Sequence, residues 1–378
     1  MRDGRVKSDR PICYNYYLRH DLKMSQGMAD QETTEMPTET PTEEVPIETQ
    51  IAIDRELDLT LSIDTIFSAP IAESIDEQTL APSQSLTKIY DWRWEKQAIA
   101  IAYEVMGDGS PILLLPALST LSSRDELREL GTLLAANHKV YILDWVGFGE
   151  SDRPKIKYEP KVFRGLLRSF VRETFSEPIV VMAAGHTAGY VMDLVAEEPN
   201  PWSWVVLLAP TWRGPLPSMM GDGKKKRYRA IQGLINLPII GQFLYWLNTS
   251  NAFLRLMMTR HVYANPNNIT PEILRSKRKI TQVKGARFAS AAFVTGALDG
   301  VRSSEDWLNY FQPLRLPVLM VIGEQMPPKS RKEDEIVANF SGVQVVRTPG
   351  SLSLHEEYPD RVFAEISPFL EKYLSKKK

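Results

Sequence analysis

The sequence predicts an α/β protein with a doubly wound, mostly parallel sheet and an inserted helical cap. From Leu86 onward, short apolar runs of strand length alternate with longer stretches that have helical spacing, a pattern typical of such a sheet. After Pro210 the alternation stops across a long stretch rich in helical signals, and it resumes at the run LPVLMVIG. This interruption predicts the cap.

The elements follow in chain order. The runs TKIYDWRW and QAIAIAYEV predict two strands joined by a turn near Lys96. Four further strands are predicted at PILLLP, KVYILDW, PIVVMAA and WVVLLAP, and the helices between them at RDELRELGTLLAAN, YEPKVFRGLLRSFVRETF and TAGYVMDLVAEE. Beyond the cap, LPVLMVIG and VQVVRTPG predict strands, while KSRKEDEIVANF and RVFAEISPFLEKYL predict helices. Short apolar runs between helical stretches favour parallel strands with helical crossovers.

Charge and composition divide the chain into regions. Residues 1–85 are predicted to form an acidic, largely disordered extension, because residues 30–50 are rich in Glu, Thr and Pro and offer little to bury. Residues 31–80 carry a net charge of −12, although the whole chain carries only −2. The core is predicted from residues 86–213 and 286–378, which enclose a helical cap at 214–285.

Composition also excludes several classes of function. The single cysteine, Cys13, excludes an intramolecular disulfide, and the first residues lack the apolar segment of a secretory signal. We therefore expect a cytoplasmic protein. The five histidines are scattered without metal-ligand spacing, and no dinucleotide or phosphate-binding loop is present. The sequence predicts no cofactor, no metal and no nucleic-acid partner.

Several motifs occur together in a fixed order. They are W-x-W followed by Y-x-x-x-G at Trp92–Gly107, D-x-x-G-x-G-x-S at Asp144–Ser151, G-x-T-x-G at Gly185–Gly189, and E-x-P at Glu357–Pro359. In this combination, residues 86–376 resemble the α/β-hydrolase fold family. The opening motif and the cap are similar to those of plant and cyanobacterial members, some of which act on lipids or chlorophyll esters. The resemblance implies a nucleophile, a histidine base, an acid and an oxyanion hole.

The nucleophile position of this resemblance is Thr187, in an elbow formed by Gly185, His186 and Gly189. The elbow normally gives its central residue a positive φ, where a β-branched side chain is strained. A left-handed conformation costs about 1–2 kcal/mol even for an ordinary residue. We therefore expect Thr187 either to strain the turn or to relax it and misdirect its hydroxyl. Two interpretations stay open. Thr187 is either an unusual nucleophile or a remnant of the turn that is kept for structural reasons after the loss of catalytic activity.

The base and acid positions depart from the family pattern. By spacing from the E-x-P motif, Leu352 stands where the family places its catalytic histidine. His355 is the candidate base if the loop is shifted, and otherwise an ordinary histidine near the last helix. Met326 takes the position of the acid in the sequence GEQM. Neither Leu352 nor Met326 can exchange a proton.

The oxyanion loop follows PILLLP and reads Pro116-Ala117, where the family usually has His-Gly. Backbone N–H groups of Leu118 and Ala188 are the predicted donors, so an oxyanion hole is compatible with these side chains. Pro116 has no N–H to give.

Fold motifs are therefore kept while the catalytic positions are substituted. This favours a non-catalytic or strongly impaired hydrolase relative that binds a lipophilic molecule or a partner. The alternative is an active ester or lipid hydrolase that uses Thr187 as its nucleophile.

The cap combines the basic run GDGKKKRYR with the apolar segment LINLPIIGQFLYWL. One interpretation is a lid packed on the core with its lysines in solvent. The other is a surface that rests peripherally on an anionic membrane. Under either interpretation, so apolar a cap suits a cavity for a lipophilic ligand.

Overall fold

A computed structural model of the protein describes residues 85–374. Eight strands form one sheet in the order β1-β2-β4-β3-β5-β6-β7-β8. The strands are β1 Leu86–Trp94, β2 Gln97–Met106, β3 Ser110–Leu115, β4 His138–Leu143, β5 Ile179–Ala184, β6 Trp202–Leu208, β7 Val318–Gly323 and β8 Val343–Thr348. From β4 to β8 along the sheet, all neighbours pair in parallel. The predicted fold class is confirmed.

The first two strands form an antiparallel hairpin at one edge of the sheet. The turn falls at Glu95 and Lys96, as predicted. Trp92 and Trp94 of the opening motif pack against each other with ring centroids 5.3 Å apart. Tyr103 of β2 makes an edge-to-face contact with Phe170, also at 5.3 Å. The second contact packs the hairpin against the helix Pro160–Thr174.

Helices cover both faces of the sheet and bury its central strands. β5 and β7 are buried along their whole length, as expected of strands with helices on both faces. The core helices are α1 Arg128–Ala135, α2 Pro160–Thr174, α3 Ala188–Val195, α11 Pro328–Val337, α12 Leu354–Glu357 and α13 Pro359–Leu374.

The segment between β6 and β7 is helical, in agreement with the predicted insertion. It contains α4 Pro215–Met220, α5 Lys225–Asn236, α6 Pro238–Asn248, α7 Asn251–Met257, α8 Pro271–Thr281, α9 Ala286–Val294 and α10 Ser304–Asn309. The E-x-P motif connects this cap to the last helix of the core. The Glu357 carboxylate accepts hydrogen bonds from the backbone N–H groups of Ala264 and Asn265, each at 2.7 Å. This motif therefore has a structural role.

The D-x-x-G-x-G-x-S motif also has a structural role, in the turn after β4. Asp144 is fully buried and pairs with Arg124 at 2.5 Å, and it accepts the Glu150 N–H at 2.9 Å. Ser151 accepts the Ala102 N–H at 2.9 Å, which ties the turn to β2.

Among residues 85–374, no single helix is long and apolar enough to cross a membrane. The consecutive helices α5 and α6 reach that length and hydropathy only together, and the chain bends by 101° between them. The predicted disordered extension, 1–85, lies outside the described residues except for Ser85.

Candidate active site

The elbow after β5 is a tight helical turn. Residues Gly185–Thr187 form one turn of 3₁₀-helix, and α3 starts at Ala188. Gly185 has the positive φ of this turn, +52°, whereas Thr187 has φ −66° and ψ −23°, in the ordinary right-handed helical region. Glycine adopts a positive φ without steric cost and threonine does not. The turn is therefore relaxed at Thr187, one of the two outcomes that the sequence predicts.

The relaxed turn directs the Thr187 hydroxyl at the backbone. Thr187 is fully buried, and its Oγ1 donates a hydrogen bond of 2.7 Å to the carbonyl oxygen of Pro116. The indole N–H of Trp145 donates to the same oxygen at 3.0 Å. The hydroxyl proton is thus held by a backbone acceptor that cannot serve as a general base.

Two backbone amides near the elbow are already engaged. The Ala188 N–H, a predicted oxyanion donor, donates to the Gly185 carbonyl within the 3₁₀ turn. The Ala117 N–H donates to Oε1 of Glu126 at 2.6 Å. The side chain of Leu118, the other predicted donor residue, is buried. An oxyanion hole needs N–H groups free to meet the developing charge, and neither Ala117 nor Ala188 offers one in this arrangement.

His355 lies beside a carboxylate that the sequence analysis did not identify. Its Nε2 is 3.4 Å from Oε1 of Glu126, and both side chains are buried. No hydrogen bond joins Thr187 to either ring nitrogen of His355 among the described residues. The candidate base is therefore paired with Glu126 and is not bonded to the candidate nucleophile.

A lysine from the cap completes a buried charged cluster. Lys277 of α8 pairs with Glu356 at 2.6 Å, and Tyr263 is buried beside them. Burial by itself raises the pKa of Glu126. The opposing effects of His355, Lys277 and the Ala117 N–H are larger in sum, so the pKa of Glu126 lies below its ordinary value. We call Glu126, His355, Lys277, Glu356 and Tyr263 the cap–core cluster.

The substituted base and acid positions are filled by packing contacts. Leu352 is half-buried against the main hydrophobic core. Met326 is buried, and its sulfur accepts the Gly323 N–H at 3.3 Å. Both side chains thus contribute to the packing around β7 and the last loop.

His186 points away from any reacting group. Its Nε2 lies 3.3 Å from the Leu298 carbonyl and 3.3 Å from Oδ1 of Asp299. Burial lowers the pKa of His186 to about 4, so the ring is neutral at pH 7. On the next turn, a Cβ added to Gly189 would lie 3.0 Å from a methyl group of Val301. The residues flanking Thr187 therefore pack the elbow against the segment that follows α9.

The space between the D-x-x-G-x-G turn and helices α8 and α9 is almost filled. A cavity of about 10 Å³ is lined there by Phe148, Arg153, Ile280 and Ser290, among others, and it has room for about one water molecule. Among residues 85–374, no group of three His, Cys, Asp or Glu side chains is placed to hold a metal ion.

A comparison with models of known protein families assigns this chain to a family. The model of the alpha/beta hydrolase family matches residues 112–365. The chain belongs to the alpha/beta hydrolase family. This confirms the family resemblance that the motifs carry.

Solved structures with the same fold have diverse described activities. The chain is similar to a bromoperoxidase from Bacillus anthracis (15% identity, TM-score 0.59, covering 76% of this chain and 100% of the other). It is also similar to a thermophilic esterase from Thermogutta terrifontis (19%, 0.58, 77% and 99%) and to the haloalkane dehalogenase DatA from Agrobacterium tumefaciens C58 (16%, 0.58, 76% and 97%). At these identities the likeness extends to the fold alone. No curated protein matches the chain by sequence.

Within this alpha/beta hydrolase, the cap–core cluster is the main feature that sequence reasoning missed. One signal for it was present. In the predicted helix RDELRELGTLLAAN, Glu126 stands four residues before Leu130 and eight before Leu134, which places it on the apolar side of that helix. Its partners could not be found in the same way, because Lys277 and His355 are distant in sequence.

Proposed function

We propose that this alpha/beta hydrolase-fold protein does not carry out serine-hydrolase chemistry at its elbow and acts by binding, with a lipophilic molecule or a partner as its target. The observation that carries the proposal is the 2.7 Å hydrogen bond from the Thr187 hydroxyl to the Pro116 carbonyl. A hydroxyl becomes a nucleophile when a base within hydrogen-bond reach accepts its proton, and a peptide carbonyl cannot do so.

The surroundings of Thr187 support the same proposal. The Ala117 and Ala188 amides are engaged, and Leu352 and Met326 offer no proton acceptor at the base and acid positions. Residual catalysis after the loss of a triad comes from the oxyanion hole and substrate binding. With the Ala188 amide, one of the two predicted donors, occupied, we expect that residual rate to be reduced.

The test is hydrolysis of p-nitrophenyl acetate by the full chain and by Thr187→Ala. We expect equal rates. The matched control is Thr295→Ala, because the Thr295 hydroxyl is also buried and donates to a backbone carbonyl, that of Ala291, at 2.7 Å. A rate that falls in Thr187→Ala but not in Thr295→Ala, with all three proteins folded, contradicts the proposal.

The alternative function is an ester or lipid hydrolase that uses Thr187. It is favoured by the buried His355–Glu126 pair, because a histidine beside a carboxylate is the usual base arrangement. The hydroxyl would have to leave Pro116 and reach His355. This alternative predicts that Thr187→Ala and His355→Ala lose the same activity, whereas under our proposal neither variant differs from the wild type.

The bound molecule can be sought directly. The cavity of about 10 Å³ has room for about one water molecule, so a lipophilic ligand must bind elsewhere on the protein or displace the cap. We propose that such a compound accompanies the purified full chain, and extraction followed by mass spectrometry tests this against a mock purification. The narrower resemblance to plant and cyanobacterial members and the cytoplasmic location stay predictions.

A further inference from the structure

We propose that the cap binds peripherally to an anionic lipid surface through the outer side of α5 and α6. The docking face, as we call it, comprises exposed apolar and basic side chains: Leu234, Leu237, Ile239, Ile240, Phe243, Trp246, Leu247, Lys224, Lys225, Lys226, Arg227 and Arg229. It lies on the outside of the cap, so the proposal does not depend on whether the elbow is catalytic.

The apolar part of the docking face is concentrated on α6. Five apolar side chains of this 11-residue helix are at least half exposed, and Ile239 is the most exposed at 83%. The rings of Phe243 and Trp246 stack on each other at 6.1 Å, 60% and 52% exposed. A helix that is apolar on most sides is normally buried. A contiguous apolar patch left in solvent marks an interaction surface.

The basic part is continuous with the apolar part along α5. Arg227 and Leu234 are seven residues apart, so they lie on one side of the helix, and Leu237 follows directly after the end of α5. Tyr228, about 100° around the helix from Arg227, is the buried residue of α5. α5 therefore runs from a cationic start to an apolar end, where the bend leads into α6.

The basic residues at the start of α5 do not stabilise the helix, so helix stability does not explain their presence. Lys225, Lys226 and Arg227 occupy the first turn of α5, which contains no acidic residue. The helix dipole makes this end positive, so cations are unfavourable there. None of the five basic side chains has an ion-pair partner among the described side chains. An external anion would both neutralise them and complement the dipole.

A lipid surface fits this combination better than a folded protein does. The large side chains Ile239, Phe243 and Trp246 are exposed. A rigid partner would need a matching groove to receive them, whereas a fluid bilayer adapts to projecting side chains. Interfacial helices combine such residues with Lys and Arg in this way, and Trp prefers the depth of the headgroups. The whole chain has a net charge of −2, so attraction to anionic lipid requires a local cationic patch.

The test is co-sedimentation of the full chain with vesicles of pure phosphatidylcholine and of an equal mixture with phosphatidylglycerol. The charge variant is Lys224→Gln/Lys225→Gln/Lys226→Gln. Its matched control removes three exposed lysines outside the cap, as Lys88→Gln/Lys96→Gln/Lys332→Gln. The apolar variant is Phe243→Ser/Trp246→Ser, with Leu86→Ser/Ile89→Ser on the exposed strand β1 as its control. Circular dichroism and urea midpoints verify that each variant is folded.

We expect the wild type to pellet with the mixed vesicles and weakly with phosphatidylcholine. The charge variant should bind about 100-fold more weakly, because each lysine near an anionic surface contributes about fivefold. The apolar variant should also lose binding, and both controls should keep it. The proposal is overturned if the wild type does not prefer anionic vesicles, or if either cap variant pellets like its control. A p-nitrophenyl acetate result in either direction leaves these outcomes unchanged.

Discussion

The side chain at position 187 is a threonine, and the backbone around it avoids the strain that an elbow would impose. A β-branched residue tolerates positive φ poorly, and here the left-handed conformation lies at Gly185, two residues earlier. This backbone conformation determines the direction of the Thr187 hydroxyl. Thr187 Oγ1 is directed at Pro116 rather than at His355, so a Thr187→Ser substitution alone would restore the hydroxyl type without its direction.

Glu126 gives a pH-dependent prediction at the same scale. Its pKa in the folded protein lies below its ordinary value of 4.5. The charged carboxylate therefore stabilises the fold above pH 4.5, and this contribution is lost as the pH falls through the folded pKa. Glu126→Gln should lower the free energy of unfolding by about 1–3 kcal/mol at pH 7. The difference from the wild type should shrink below pH 4.5, measured by urea unfolding across a pH series.

The control for this prediction is Glu365→Gln, which changes an exposed glutamate on α13. That variant should follow the wild type at every pH. If the deficit of Glu126→Gln stays constant from pH 7 to pH 3, the carboxylate charge is not what stabilises the cap–core cluster.

At the level of elements, the bend between α5 and α6 depends on Gly241. A Cβ at this position would lie 1.8 Å from the Ile235 carbonyl oxygen, well inside contact distance. Gly241→Ala should therefore force the two helices apart, lower the stability of the cap by about 1–3 kcal/mol, and increase proteolytic cleavage between α5 and α6. Limited proteolysis followed by mass spectrometry locates the cleavage.

Gly233 is the matched control in the neighbouring helix. A Cβ there meets nothing within 4 Å, so Gly233→Ala should stabilise α5 by about 0.5–1 kcal/mol through its higher helix propensity. If both alanine variants are equally resistant to protease, close packing at Gly241 does not set the bend.

The elements were predictable from sequence to a large extent, and the site only in part. Strand runs such as PIVVMAA and LPVLMVIG are short, apolar and flanked by breakers, so local chemistry is enough to identify them. The substitutions at Leu352 and Met326 could also be identified from local sequence, because each is located by its spacing from a nearby motif. The partnership of Glu126 with His355 and Lys277 joins three distant segments, and no local pattern links them. The direction of the Thr187 hydroxyl depends on a backbone angle that the motif does not encode.

For the whole molecule, the distribution of charge gives a further prediction. Residues 31–80 carry a net charge of −12 in a chain whose total is −2, so the remainder is positive. We expect a chain that begins at Leu86 to bind phosphatidylglycerol-containing vesicles more tightly than the full chain. Screening acts over a Debye length of about 8 Å at physiological ionic strength, so the difference should vanish at high salt. Titration of vesicles at two salt concentrations measures it. Equal affinity of the two chains at low salt would contradict the prediction.

Because the positive φ lies at Gly185, the backbone at position 187 also accepts a wider set of side chains. In a strained elbow, the backbone restricts the central residue to the few side chains that accept a left-handed conformation. In this protein the residue is an ordinary helical one at the start of α3, and Pro116 keeps a second donor in Trp145 when the hydroxyl is removed. Alanine therefore fits this backbone as well as threonine does, and Thr187→Ala should cost only the hydrogen bond to Pro116, about 1 kcal/mol.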